Sequence, residues 1–175
     1  EQHESIPAIE DAVMPGTPRF VIEAYRTLAE RAKEREFGLI EEDVVILDTE
    51  TTGLSPQENE LIEISAAVLS GRDITDRFDT FVHPTTLIPA EITELTGITN
   101  ADVAHAPDAR TAVAQLAEFV GGRPVVAHNA TFDRTFIESV KGGVDVSSIW
   151  IDSLALSRIA LPRLASHKLS YIAEV

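Results

Sequence analysis

Two carboxylates one residue apart, Asp48 and Glu50, follow the short apolar run Val44 to Leu47. Alternate side chains of an extended strand share a face, so Asp48 and Glu50 project side by side. Acids held together repel one another unless they are protonated or share a cation. Hard divalent ions such as Mg²⁺ and Mn²⁺ favour such oxygen ligands. The pair alone reads equally well as a strand end running into an exposed turn. A second group is His128-Asn129-Ala130-Thr131-Phe132-Asp133. Asn129 or Thr131 suits a helix cap, and Asp133 would complement the dipole in the first turn of that helix. The chemical reading is that a short strand over 125–127 delivers this helix start to the sheet edge that carries Asp48. Asp133 would then be a third carboxylate ligand. His128 by itself reads as a structural histidine.

The elements that must position these residues are visible in the pattern. Val44–Leu47 is wholly apolar, as in a central strand buried on both faces. Thr51–Pro56 reads as a turn. Residues 60–70 and 74–83 read as two strands of a hairpin turned at Gly71. Short helical pieces are expected at 90–96 and 100–104. Asp108 caps a helix that runs to Val120 and stops at Gly121-Gly122. Strands at 125–127 and 149–151, a helix over 131–141, one ending near Ala160 before Pro162, and a last helix from Ser166 complete the order. A three-strand antiparallel meander followed by strand–helix–strand units predicts an α/β fold, a mixed sheet with parallel strands added and helices on both faces. Residues 1–42 read as an acidic tail and an amphipathic helix over 18–37, and 43–175 as one domain.

Composition excludes several classes. There is no cysteine, so disulfides, thiolate metal sites and a cysteine nucleophile are ruled out. No apolar run approaches the ~20 residues that span a bilayer. The expectation is a cytoplasmic protein with no membrane partner. The formal charge of −15 argues against gripping long stretches of nucleic-acid backbone. A nucleic-acid role must work on a few nucleotides, with cations neutralising the acids.

LDTETTGLSP at 47–56, ITELTGI at 92–98 and VAHNATFDRTF at 126–136 together resemble the DnaQ-like branch of the DEDD exonucleases, which includes the proofreading epsilon subunit of bacterial replicative polymerase. The likeness covers residues 43–175. It implies an RNase H-like fold and hydrolysis of phosphodiester bonds at 3′ ends by two Mg²⁺ or Mn²⁺ ions in the complete site. Asp48, Glu50 and Asp133 match three of the family's four acidic ligands and are the implied catalytic residues. The resemblance makes Thr49, Thr51, Leu54 and Asn129 the substrate-binding residues. Read alone, the threonines form a turn, Leu54 packs in the core and Asn129 fixes a loop. Phe132 and Phe136 read as core. The implied partners are a single-stranded or frayed DNA 3′ end, or RNA, and a DNA polymerase subunit.

One departure bears on activity. The family's last motif pairs a histidine with an aspartate five residues on, whereas Ile172 stands five residues after His167. His167 reads instead as a solvent-facing residue near a helix start, and Asp152 as a helix cap. The expectation is a chain that stops before its final catalytic segment and is inactive or impaired. The competing reading is a non-catalytic domain of the same fold that serves as a polymerase-interaction module. A phosphatase with Asp48 as nucleophile is disfavoured, because that chemistry pairs two aspartates and lacks the HNATFD pattern.

Overall fold

A computed structural model describes residues 43–173 together with Arg19 and Ile22. Arg19 and Ile22 are helical, and the rest of the expected tail and helix over 1–42 lies outside the described residues. Two compact units divide the chain: Ile40–Ser153, and Glu1–Leu39 with Leu154–Val175.

In the first unit, strands β1 (Val44–Thr51), β2 (Leu61–Ser70) and β3 (Asp73–Phe81) form the antiparallel meander. Gly71, with φ of 61°, supplies the left-handed backbone of the β2–β3 turn. Strands β4 (Val125–Ala127) and β5 (Trp150–Asp152) join parallel, giving the order β3-β2-β1-β4-β5. This is the mixed sheet expected from the pattern. Helices α1 (Ala90–Thr96) and α2 (Asn100–Val103) follow β3; α3 (Ala109–Val120) precedes β4, and α4 (Thr131–Ser139) follows it. Asp108 accepts a hydrogen bond from the Thr111 N–H at 2.8 Å, and Gly121 closes α3 in the left-handed conformation.

The core lies between one sheet face and helices α3 and α4. Ala112, Val113, Leu116 and Val120 make the buried stripe of α3, with Phe136 and Ile137 from α4. They meet Val45 and Leu47 of β1 and Ile64, Ala66 and Val68 of β2. Each large side chain buried here contributes about 1.5–3 kcal/mol of transfer free energy. Phe136 also packs on Phe132 with ring centroids 4.9 Å apart, as the sequence led us to expect of both phenylalanines.

The strand β1 carries Asp48 and Glu50 as expected and runs one residue further, to Thr51, into the expected turn, because β2 pairs with it along its length, Asp48 opposite Ser65 and Glu50 opposite Glu63. One expectation for β1 is corrected, since it is not buried on both faces: Val45 and Leu47 are in the core, while Ile46 on the other face is 41% exposed. Past Glu50 the register shifts, so that Thr51 faces Leu61 and Ile62 is extra. This bulge buries Leu61 in the main core and Ile62 in a second cluster with Ile88, Ile98 and Val103.

Of the second unit, α5 (Ser153–Ala160) enters from the first, and α6 (Leu169–Ile172) is a single turn that starts later than Ser166. Pro162 limits α5, since the residue before a proline avoids helical backbone. His167 is half-buried rather than solvent-facing, with Nδ1 3.1 Å from the Ser157 hydroxyl. Among the described residues no helix is long and apolar enough to cross a membrane.

Candidate active site

Asp48 and Glu50 occupy the face of β1 opposite the core, one exposed and one half-buried. Pairing extends this face outward. Glu63 lies across from Glu50, and Asp79 of β3 lies across from Ser65, the partner of Asp48. Glu63 and Asp79 were not singled out from the sequence, although the alternation in β2 and β3 places them there. Burial raises the Asp48 carboxyl above its usual range, opposed by a hydrogen bond from the Thr49 backbone and by nearby His128. Burial also raises Glu50, reinforced by the charges of Asp48 and Glu63. Glu63 is raised by burial and by Asp79 and Asp48.

Asp133 approaches Asp48 from α4, on the core side of β1. It is 3% exposed, and the Thr49 hydroxyl donates to its Oδ1 at 2.7 Å. This is possible because β4 pairs with β1 only at Val45 and Ile46, leaving the far half of the strand free for the start of α4. Desolvation pushes the Asp133 carboxyl up to about 6; the Thr49 hydrogen bond opposes that push and the charge of Asp48 adds to it. The Thr49 contact joins residues far apart in sequence and was not anticipated.

The turn before α4 differs from expectation. Neither Asn129 nor Thr131 caps the helix; Ala130 holds the cap position without a side-chain hydrogen bond. Asn129 instead adopts φ of 67°, a left-handed conformation, and its N–H donates to Asp152 Oδ1 at 3.0 Å. His128 Nδ1 lies 3.1 Å from the Ser153 hydroxyl.

Thr51 is buried, and its hydroxyl donates to the Gly53 carbonyl. The Glu60 N–H donates to Thr52 Oγ1 at 2.9 Å, and the Ser55 N–H to Asn59 Oδ1 at 3.0 Å. On this braced turn Leu54 is 86% exposed, so it does not pack in the core. A cleft of 430 Å³ elsewhere, lined by Arg134, Ile137, Glu138 and Asp145 among others, contains none of the three carboxylates.

Among the described residues, no three His, Asp or Glu side chains are gathered closely enough to hold an ion. The donor set still fits a hard divalent cation. It is oxygen-only, and Asp48 repels both Glu50 and Asp133, a repulsion that a shared cation relieves.

A mixed sheet of this strand order, with acids at the end of its central strand, is an architecture that nuclease domains use. The chain belongs to the exonuclease family of the RNase T type, whose model matches residues 45–175. It is 42% identical over 137 residues to a PolC-type DNA polymerase III of Caldanaerobacter subterraneus subsp. tengcongensis, covering 77% of this chain and 10% of that protein. With the PolC-type polymerase of Thermotoga maritima the identity is 33% over 98% of this chain and 13% of that protein. The chain thus spans about a tenth of the length of the curated relatives it matches. Exonuclease X in complex with 5′-overhanging duplex DNA superposes with a TM-score of 0.62 at 25% identity, covering 75% of this chain and 71% of that one. Exonuclease I, at 15% identity and a TM-score of 0.63 over 77% of this chain and 38% of that one, shares the fold.

Proposed function

We propose that residues 43–175 belong to a 3′–5′ exonuclease domain, of which they supply three acidic ligands, and that the complete domain trims DNA 3′ ends for a polymerase of the PolC type in the cytoplasm. The observation that carries this reading is the coupling of Asp133 to β1. A carboxylate from a distant helix start is held beside Asp48 by the Thr49 hydroxyl. A structural domain has no need of a buried, repelled carboxylate at that position.

Asp48, Glu50 and Asp133 would hold Mg²⁺ or Mn²⁺, two ions in the complete site. When bound, such ions activate a water and stabilise the charge developing on phosphorus and on the leaving oxygen. The Thr49 hydroxyl holds the Asp133 carboxylate, and the end of β1 at Thr49 and Thr51 would meet the terminal nucleotide. Leu54 offers an apolar face to the terminal base, since an exposed leucine on a braced turn can stack without rearranging the core. Asn129 shapes the loop beside the site. DNA is favoured over RNA because the relatives are DNA polymerases and exonuclease X is bound to DNA. The negative charge of the chain favours brief engagement of a strand end over wrapping of a duplex.

Calorimetric titration with Mn²⁺ tests the reading. Saturable binding by the wild-type chain that disappears in Asp48→Ala is expected. No binding by the wild type would turn the reading toward a non-catalytic module that contacts the polymerase.

A further inference from the structure

We propose that Asp152 is a positioning residue for the carboxylate site, acting on Asp133 through the backbone of Asn129; this rests on the reading of Asp133 as a ligand. Strands β4 and β5 run parallel with Ala127 beside Asp152. The chain leaving β4 must reverse within His128 and Asn129 to begin α4. Asn129 does so at φ of 67°, which a side-chain-bearing residue adopts only against steric resistance. No side chain caps the helix that follows. Its direction therefore depends on the backbone of the turn, seen in the Phe132 N–H bond to the Asn129 carbonyl at 2.8 Å.

The end of β5 holds that turn at two points. Asp152 Oδ1 accepts from the Asn129 N–H at 3.0 Å, and the Ser153 hydroxyl lies 3.1 Å from His128 Nδ1. The bond to Asn129 is charge-assisted, the stronger kind of hydrogen bond to a backbone amide. One helical turn on, Asp133 meets the Thr49 hydroxyl at 2.7 Å. Displacing the turn would swing the first turn of α4 and carry Asp133 away from Thr49 and Asp48. Asp152 thus reaches the site through two intermediaries, the Asn129 backbone and the first turn of α4.

The test compares wild type, Asp152→Ala and Asp152→Asn by Mn²⁺ calorimetry and by amide exchange at Asn129 in metal-free protein. Outer residues that orient ligands are worth about ten- to a hundredfold in metal affinity, so Asp152→Ala should weaken Mn²⁺ binding by that factor, and Asp152→Asn, which keeps an acceptor oxygen, by less than about threefold. The Asn129 amide should be protected in the wild type and in Asp152→Asn and exposed in Asp152→Ala. Should Asp152→Ala fold poorly, adding Asn129→Gly supplies a residue that takes the left-handed turn unaided, and recovery of Mn²⁺ binding is expected. Wild-type affinity in Asp152→Ala, an Asp152→Asn as weak as the alanine variant, or no recovery with Asn129→Gly would overturn the proposal. If the wild type binds no Mn²⁺, the ligand reading fails by itself. The restraint on Asn129 is then judged on amide exchange, and equal exchange in all three proteins overturns it.

Discussion

The two faces of β1 are built from one stretch of eight residues and obey opposite rules. On one face Val45 and Leu47 give the sheet its grip on α3 and α4, and Thr49 and Thr51 finish the row with their hydroxyls engaged. On the other, Ile46 is half open and Asp48 and Glu50 sit among acids of β2 and β3. The first face favours folding by burying apolar surface. The second opposes folding, since Glu50 and Glu63 each lose solvent and gain like-charged neighbours. Stability and the candidate chemistry therefore lie back to back on a single strand, with Thr49 reaching across to Asp133.

That division can be broken from either side. The largest effect is expected behind the core face, where Phe136 is 1% exposed. Phe136→Ala should cost about 3–5 kcal/mol, read from the midpoint of urea unfolding. On the junction between the faces, Asp133→Asn should do the reverse in metal-free protein. The folded carboxyl titrates near 6, above its ordinary value, so the folded state holds a proton that the unfolded state has released. The stability this carboxyl contributes is fully present below about pH 4 and is lost as the pH rises through about 6. Asp133→Asn removes that loss and gains up to roughly 3 kcal/mol at pH 7. A wild-type unfolding midpoint that stays level between pH 4 and 7 would remove the basis for this expectation. On the acidic face, Asp48→Ala should raise metal-free stability by a smaller amount while abolishing Mn²⁺ binding, separating the two quantities in one variant. The smallest effect on folding is expected at Leu54. Leu54→Ala should stay within about 0.5 kcal/mol of wild type yet weaken binding of a single-stranded DNA end, measured by fluorescence anisotropy in Ca²⁺.

Much of this arrangement was legible in the residues. Apolar runs and turn residues gave the meander, and Asp108 and Gly121 marked both ends of α3, because caps and turns are local chemistry. Spacing put Asp48 and Glu50 on one face, and the family resemblance, through the HNATFD context, joined Asp133 to them. What covers a face was not: the apolar run of β1 looked buried on both sides, since composition cannot say what packs against Ile46. The bond from Thr49 to Asp133 was hidden for a related reason. A threonine in a strand has ordinary propensity, and its partner is eighty-four residues away. Asparagine suits both caps and left-handed turns, so the sequence left Asn129 open between capping the helix and fixing the loop, and the structure puts it in the loop.

The outer rim of the sheet carries one more consequence. β3 is an end strand, and Asp73, Asp76, Arg77 and Asp79 punctuate its nine residues, leaving Ile74 and Phe81 as its exposed apolar side chains. Such a rim makes a poor template for another extended chain, because each added strand would have to neutralise or desolvate several charges. This edge of the sheet therefore discourages pairing with a second copy of the domain.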